Sequence, residues 1–150
     1  MVFDFSGTCF SGCSGTATGV LTLTDAYVFG TDMTSADFVS FSYSSSDLSF
    51  DLTSGESPGL GGGLNSDGSF NATGELTVES SAGFPVFTSR PGEFIATDQG
   101  PGGHEDVGSS FTFTNATPSA VPEPSTWAMG LIGFGLMGFL GYRKTRSALA

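Results

Sequence analysis

The chain has 150 residues, length for one domain of ordinary size, and a net charge of -11 that is unevenly spread. Residues 1–120 hold fourteen acidic residues against one base, Arg90, a net of -13, and a field of that sign excludes nucleic acid as a partner of this part. Glycine, serine and threonine dominate the same stretch, yet the chain carries fifteen phenylalanines, which excludes a disordered acidic coil and points to a folded β domain.

In chain order, the period-two signal starts with Phe3 and Phe5 and returns at Leu21-Thr22-Leu23-Thr24 and Val39-Ser40-Phe41-Ser42-Tyr43. Leu48-Ser49-Phe50-Asp51-Leu52-Thr53 follows the turn cluster Ser44-Ser45-Ser46-Asp47. Gly59-Leu60-Gly61-Gly62-Gly63 reads as a flexible turn, since it lacks the lysine and the following helix of a phosphate loop. After the turn Asn65-Ser66-Asp67-Gly68, residues 70–79 alternate so that Phe70, Ala72, Leu76 and Val78 share a face. Shorter echoes stand at Phe94 and at Phe111 and Phe113. Half-buried strands need a partner layer, so residues 1–115 are expected to form an antiparallel β-sandwich or jelly roll of seven or eight strands. No fixed-period repeat supports a solenoid. The phenylalanines lie mostly in alternating strands, where core packing explains them, and no aromatic sugar platform is legible.

Chemistry-bearing residues are sparse. Cys9 and Cys13 are a candidate disulfide, worth about 2 kcal/mol in an oxidising compartment. The alternatives are free structural thiols or a metal site, but a closed zinc site needs four ligands and only His104 and scattered carboxylates accompany the pair. His104, the one histidine, lies in the loop-like Gln99-Gly100-Pro101-Gly102-Gly103-His104-Glu105-Asp106, and no signature marks a nucleophile for it to serve. A glycosidase pair of carboxylates has no sequence mark among so many acids. Asn65-Ser66-Asp67-Gly68 and His104-Glu105-Asp106 bring hard oxygen ligands into loops without full calcium-loop spacing. Asn71-Ala72-Thr73 and Asn115-Ala116-Thr117 match the glycosylation sequon. An ice-binding face would need a regular threonine array, and Thr22/Thr24 and Thr112/Thr114 are isolated pairs in sequence. The expectation is a domain without catalytic residues, metal or cofactor.

The last residues differ in kind. Residues 116–124 read as a linker, stiffened at Val121-Pro122-Glu123-Pro124, where two prolines hold the backbone extended and remove amide donors. Residues 125–150 read as a membrane anchor with a basic tail. Between Trp127 and Tyr142 no charge occurs, and sixteen residues as a helix extend about 24 Å, close to a bilayer core once flanking residues are added. Trp127 and Tyr142 sit like interfacial aromatics, and Arg143, Lys144 and Arg146 follow at once, which places that end in the cytoplasm and everything before Trp127 outside. Four of the span's five glycines fall on one helix face, which suits close packing against another membrane protein.

Val121-Pro122-Glu123-Pro124-Ser125-Thr126-Trp127, the glycine-rich apolar span and the terminal Arg-Lys-Thr-Arg together resemble the PEP-CTERM sorting signal, also called an ice-binding-protein C-terminal domain. The resemblance covers about residues 121–147. It implies export, recognition of the Pro122-Glu123-Pro124 region by a membrane transpeptidase of the exosortase type, and delivery to the cell surface or the extracellular polysaccharide matrix. The role expected of the domain is structural or adhesive; the alternative is a carbohydrate-binding or weakly hydrolytic module acting on extracellular polysaccharide. Proteins with this tail begin with a secretory signal peptide. Met1-Val2-Phe3-Asp4-Phe5 has neither a basic start nor an apolar core, so the expected leader is missing from this stretch.

Overall fold

The computed structural model describes residues 1–56, 58–99 and 103–116. Within the compact unit Met1–Thr117 the strands are β1 (Val2–Ser11), β2 (Thr16–Leu23), β3 (Phe38–Ser44), β4 (Ser49–Thr53), β5 (Gly59–Gly62), β6 (Leu76–Glu79), β7 (Val86–Arg90), β8 (Glu93–Thr97) and β9 (Glu105–Asn115). All nine form one antiparallel sheet in the order β4-β3-β2-β1-β9-β8-β7-β6-β5. The all-β antiparallel class is as the alternation indicates; the expected pair of stacked sheets is not, because β1 and β9 pair with each other and fuse the two halves. The sheet curls instead. Phe41 on β3 and Phe87 on β7 stand five strands apart, about 24 Å on a flat sheet at roughly 4.8 Å per strand, yet their ring centroids are 4.7 Å apart. The concave side thus supplies its own second layer, a half-barrel filled by Phe3, Phe5, Leu21, Phe41, Tyr43, Leu52, Val78, Phe87 and Phe94.

Two backbone devices let the rings fit. On β9, Asp106 and Gly108 face inward; regular alternation would then turn Phe111 and Phe113 outward. The register shifts between Ser6↔Thr112 and Thr8↔Ser109, so Gly7 opposes both Ser110 and Phe111. The bulge sits at Ser110, held at φ 52°, and returns Phe111 and Phe113 to the concave side. Beside it, an added Cβ on Gly108 would lie 2.1 Å from the Phe94 ring and one on Gly7 2.6 Å from it. These two glycines make the space that Phe94 occupies.

Closure fails at one seam for a reason of parity. Eight successive antiparallel pairings across nine strands leave the outer strands, β4 and β5, pointing the same way. Parallel neighbours need a crossover of about a dozen residues, and only residues 54–58 join these two. Loops bridge the gap: Met33 donates its N–H to the Gly62 carbonyl at 2.7 Å, and Gly30 to that of Leu64 at 3.0 Å. Tyr27, buried between them, accepts from the Leu64 N–H at 2.9 Å and donates toward the Thr31 carbonyl at 2.8 Å.

Two expectations need correction. Residues 59–62 are a strand, because glycines without side chains still offer a backbone ladder to β6, and it ends where Gly62 turns to φ 68° against the Glu75 carbonyl. Residues 70–79 are not one strand: Phe70 makes an isolated bridge with Leu64, Asn71 closes a turn with Gly74, and β6 begins at Leu76. The apolar span between Trp127 and Tyr142 and the linker from residue 117 onward lie outside the described residues.

Candidate functional site

An open cleft of about 580 Å³ lies between the loop joining β5 to β6, the β7–β8 turn and the bulged half of β9. Its floor is aromatic: Phe70 and Phe111 are half-buried, 5.7 Å apart, with Phe113 buried 6.4 Å from Phe70. The loop that carries Phe70 is fastened by its own side chains. Asn65 donates from Nδ2 to the Phe70 carbonyl at 2.8 Å and to Ser69 Oγ at 2.9 Å. Gly68 presses on β9, where any Cβ would meet the Phe113 carbonyl at 1.9 Å. At the rim, Asp67 Oδ1 accepts from the Ser69 hydroxyl at 2.7 Å and the Ser69 N–H at 3.0 Å. These two bonds, the hydroxyl's first, hold the exposed Asp67 carboxyl below the usual carboxylate range. Among the residues lining the cleft there is no Lys, Arg or His. Arg90, next to the lining turn, is engaged by Glu93 at 2.9 Å from its Nε.

A second cluster lies inside the half-barrel. Asp106 is fully buried and accepts from Tyr43 at 2.9 Å and from Ser45 at 2.5 Å through Oδ2, while Oδ1 has no hydrogen-bond partner. Ser45 Oγ also accepts from the N–H groups of Asp47 and Leu48, at 3.1 and 3.0 Å, so the β3–β4 turn is tied to β9 through one hydroxyl. Burial, and then the hydrogen bond and charge of Asp106, push the Tyr43 phenol far above its usual range.

Cys9 and Cys13 are joined, S–S 2.09 Å with Cα atoms 5.5 Å apart, at the tip of the β1–β2 hairpin. Gly12 between them, at φ 77°, lies against the Glu105 carbonyl, where a Cβ would stand 1.8 Å from the oxygen. His104 is exposed and meets Asp98, its N–H 3.2 Å from Oδ1 and its Nδ1 3.5 Å from Oδ2. Among the described residues, Asp98 is the hydrogen-bond partner of that ring. The two loop stretches with hard oxygen ligands form no calcium loop: Asn65 Nδ2 and Asp67 Oδ1 bond within their own turn, and Glu105 and Asp106 point to opposite faces of β9. Among the described residues no three His, Cys, Asp or Glu side chains come together as metal ligands. Val121, Pro122, Glu123, Pro124, Trp127, Tyr142, Arg143, Lys144 and Arg146 lie outside the described residues.

Sequence reasoning missed Asp106, which reads as one more loop acid, and the pairing of Phe70 with Phe111, 41 positions away. It also missed rows of hydroxyls on the convex face. The register sets Thr112, Ser6, Thr18, Ser44 and Ser49 side by side, and Thr22 beside Ser40 and Thr53. Asp4, Val20 and Asp51 interrupt the pattern between these rows, so it is no regular threonine array.

Neither the curated proteins nor the solved structures contain a match to this chain. Residues 120–146 match the PEP-CTERM protein-sorting motif, which implies an exosortase substrate with a C-terminal membrane-anchor region, exported and sorted to the cell surface.

Proposed function

We propose that this is an exported bacterial surface protein whose acidic β unit has a structural or adhesive role, without catalysis. The observation that carries the reading is the sorting motif at residues 120–146, placed directly after a folded acidic unit. In this account the segment between Trp127 and Tyr142 crosses the bilayer once, Arg143, Lys144 and Arg146 hold the cytoplasmic side, and the unit before Pro122 faces outward until the exosortase acts. The convex rows of Ser and Thr hydroxyls favour an adhesive surface, since they present donors and acceptors without fixed charge to a hydrated matrix.

A second reading, a carbohydrate-binding module for extracellular polysaccharide, is favoured by one feature: the cleft floored by Phe70 and Phe111. The sorting reading is tested by replacing Pro122, Glu123 and Pro124 with alanine in the native host and fractionating the cells. The variant is expected to accumulate unprocessed in the membrane; a variant that reaches the surface like the parent protein would refute recognition at this motif.

A further inference from the structure

We infer that the cleft floored by Phe70 and Phe111 is a saccharide site, taking a short run of uncharged hexopyranose units with an apolar ring face packed against the Phe70 ring, to which the Phe111 ring is inclined by 56°. The inference rests on the carbohydrate-binding reading and assigns it a place. Three observations carry it.

First, the size is right: about 580 Å³ falls within the roughly 300–1,000 Å³ of small-molecule sites, and one side is open, as a polymer needs. Second, the chemistry is two-sided. The phenyl rings offer apolar faces whose negative quadrupole suits the C–H face of a pyranose. The rim residues Asp67 and Ser110 carry a carboxylate and a hydroxyl, partners for the sugar's hydroxyls. Both internal bonds of Asp67 fall on Oδ1. With no cation lining the cleft and a strongly acidic unit around it, charge selects against uronic-acid or sulfated polymers.

Third, the backbone is strained where it shapes the cleft. Ser110, at φ 52°, is the one non-glycine residue in the left-handed region among the described residues, and it lines the cleft. Its bulge is what turns Phe111 onto the concave side. A structural account needs Phe111 and Phe113 packed inward; it does not require Phe70 and Phe111 to be left half-open beside an ionised carboxylate.

The test uses the whole chain in phosphatidylcholine nanodiscs, which carry no sugar head group, with calorimetric titration of neutral, amino and uronic oligosaccharides. The parent protein is expected to bind a neutral hexasaccharide series and to ignore the uronates. Phe70→Ala and Phe70→Leu should weaken binding alike, about tenfold, because leucine keeps the apolar volume but not the flat ring. Asp67→Asn should weaken it by a smaller factor. Equal thermal melts for Phe70→Leu and the parent check that the fold survives. If no oligosaccharide binds the parent protein, the carbohydrate reading itself falls. If the parent binds and both Phe70 variants bind equally well, the reading survives and this site is wrong. Binding of amino sugars alone, unchanged in both Phe70 variants, would mean diffuse charge attraction and would also overturn the assignment.

Discussion

Tyr43 on β3 donates a 2.9 Å hydrogen bond to Asp106 on β9, and both side chains are buried inside the curled sheet. The two strands are separated by β2 and β1, so this bond is a chord across the curve rather than part of a ladder. Ser45 adds a second donor to the same oxygen. Removing the carboxyl in Asp106→Ala strands the buried Tyr43 hydroxyl and takes one acceptor from the half-buried Ser45, and should cost about 2–4 kcal/mol, whereas Tyr43→Phe removes one donor and should cost about 1 kcal/mol. Urea unfolding midpoints check both; equal midpoints for Asp106→Ala and the parent would deny the chord its structural role.

The same pair sets an alkaline limit. The Tyr43 phenol is pushed above the ordinary tyrosine value of 10.0, chiefly by burial, and the Tyr27 phenol is raised for the same first reason. A folded state that keeps its proton longer than the unfolded chain is stable below pH 10.0 and loses that stability as the pH climbs beyond it. Thermal melts between pH 8 and pH 12 should fall steeply above about 10, and less steeply in Tyr43→Phe. An unchanged slope in that variant would contradict the assignment.

Gly108 and Gly7 exist to seat Phe94. Gly108→Ala puts a methyl 2.1 Å from the ring and 2.5 Å from the Thr8 carbonyl, so it should destabilise by about 1–3 kcal/mol or more. Shrinking the ring in a Phe94→Leu background should recover part of that loss, a coupling that a double-mutant cycle reads directly. Additive effects would mean that the ring and the glycine act independently.

The disulfide works at one corner of the sheet. Reduction, or Cys9→Ser with Cys13→Ser, should lower stability by about 2 kcal/mol. The loss should be local, freeing Gly12 from Glu105 while β1 and β9 stay paired. Hydrogen exchange resolves this, and it also tests the seam: amides of β4 and β5 should exchange fastest among the strands, those of β1 and β9 slowest. Equal protection of β4 and β1 would mean that the seam closes.

Much of this fold is legible in the sequence because its signals are local. Alternation marks β2, β3 and β4, and the turn at Ser44, Ser45, Ser46 and Asp47 falls where β3 meets β4. What is not legible depends on distant partners. One extra residue at Ser110 decides which face Phe111 takes, and no periodicity count shows a bulge. The β1–β9 pairing turns two expected layers into one sheet. Phe70 looks like the start of a strand because Ala72, Leu76 and Val78 continue its spacing, yet Asn71 closes a turn with Gly74, its side-chain amide donates to Asp32 at 2.6 Å, and the alternation ends. The candidate cleft was hidden for that reason, while the sorting motif, a contiguous signal, was readable outright.

The tail is expected to send this β unit out of the cell and then to be processed. Mass spectrometry of both ends of the mature protein, tagged in an exposed loop and recovered from fractions of the native host, tests it most directly. An extracellular or surface species ending near Pro122, Glu123 and Pro124 is expected, and a cytoplasmic species retaining Arg143 to Arg146 would refute export.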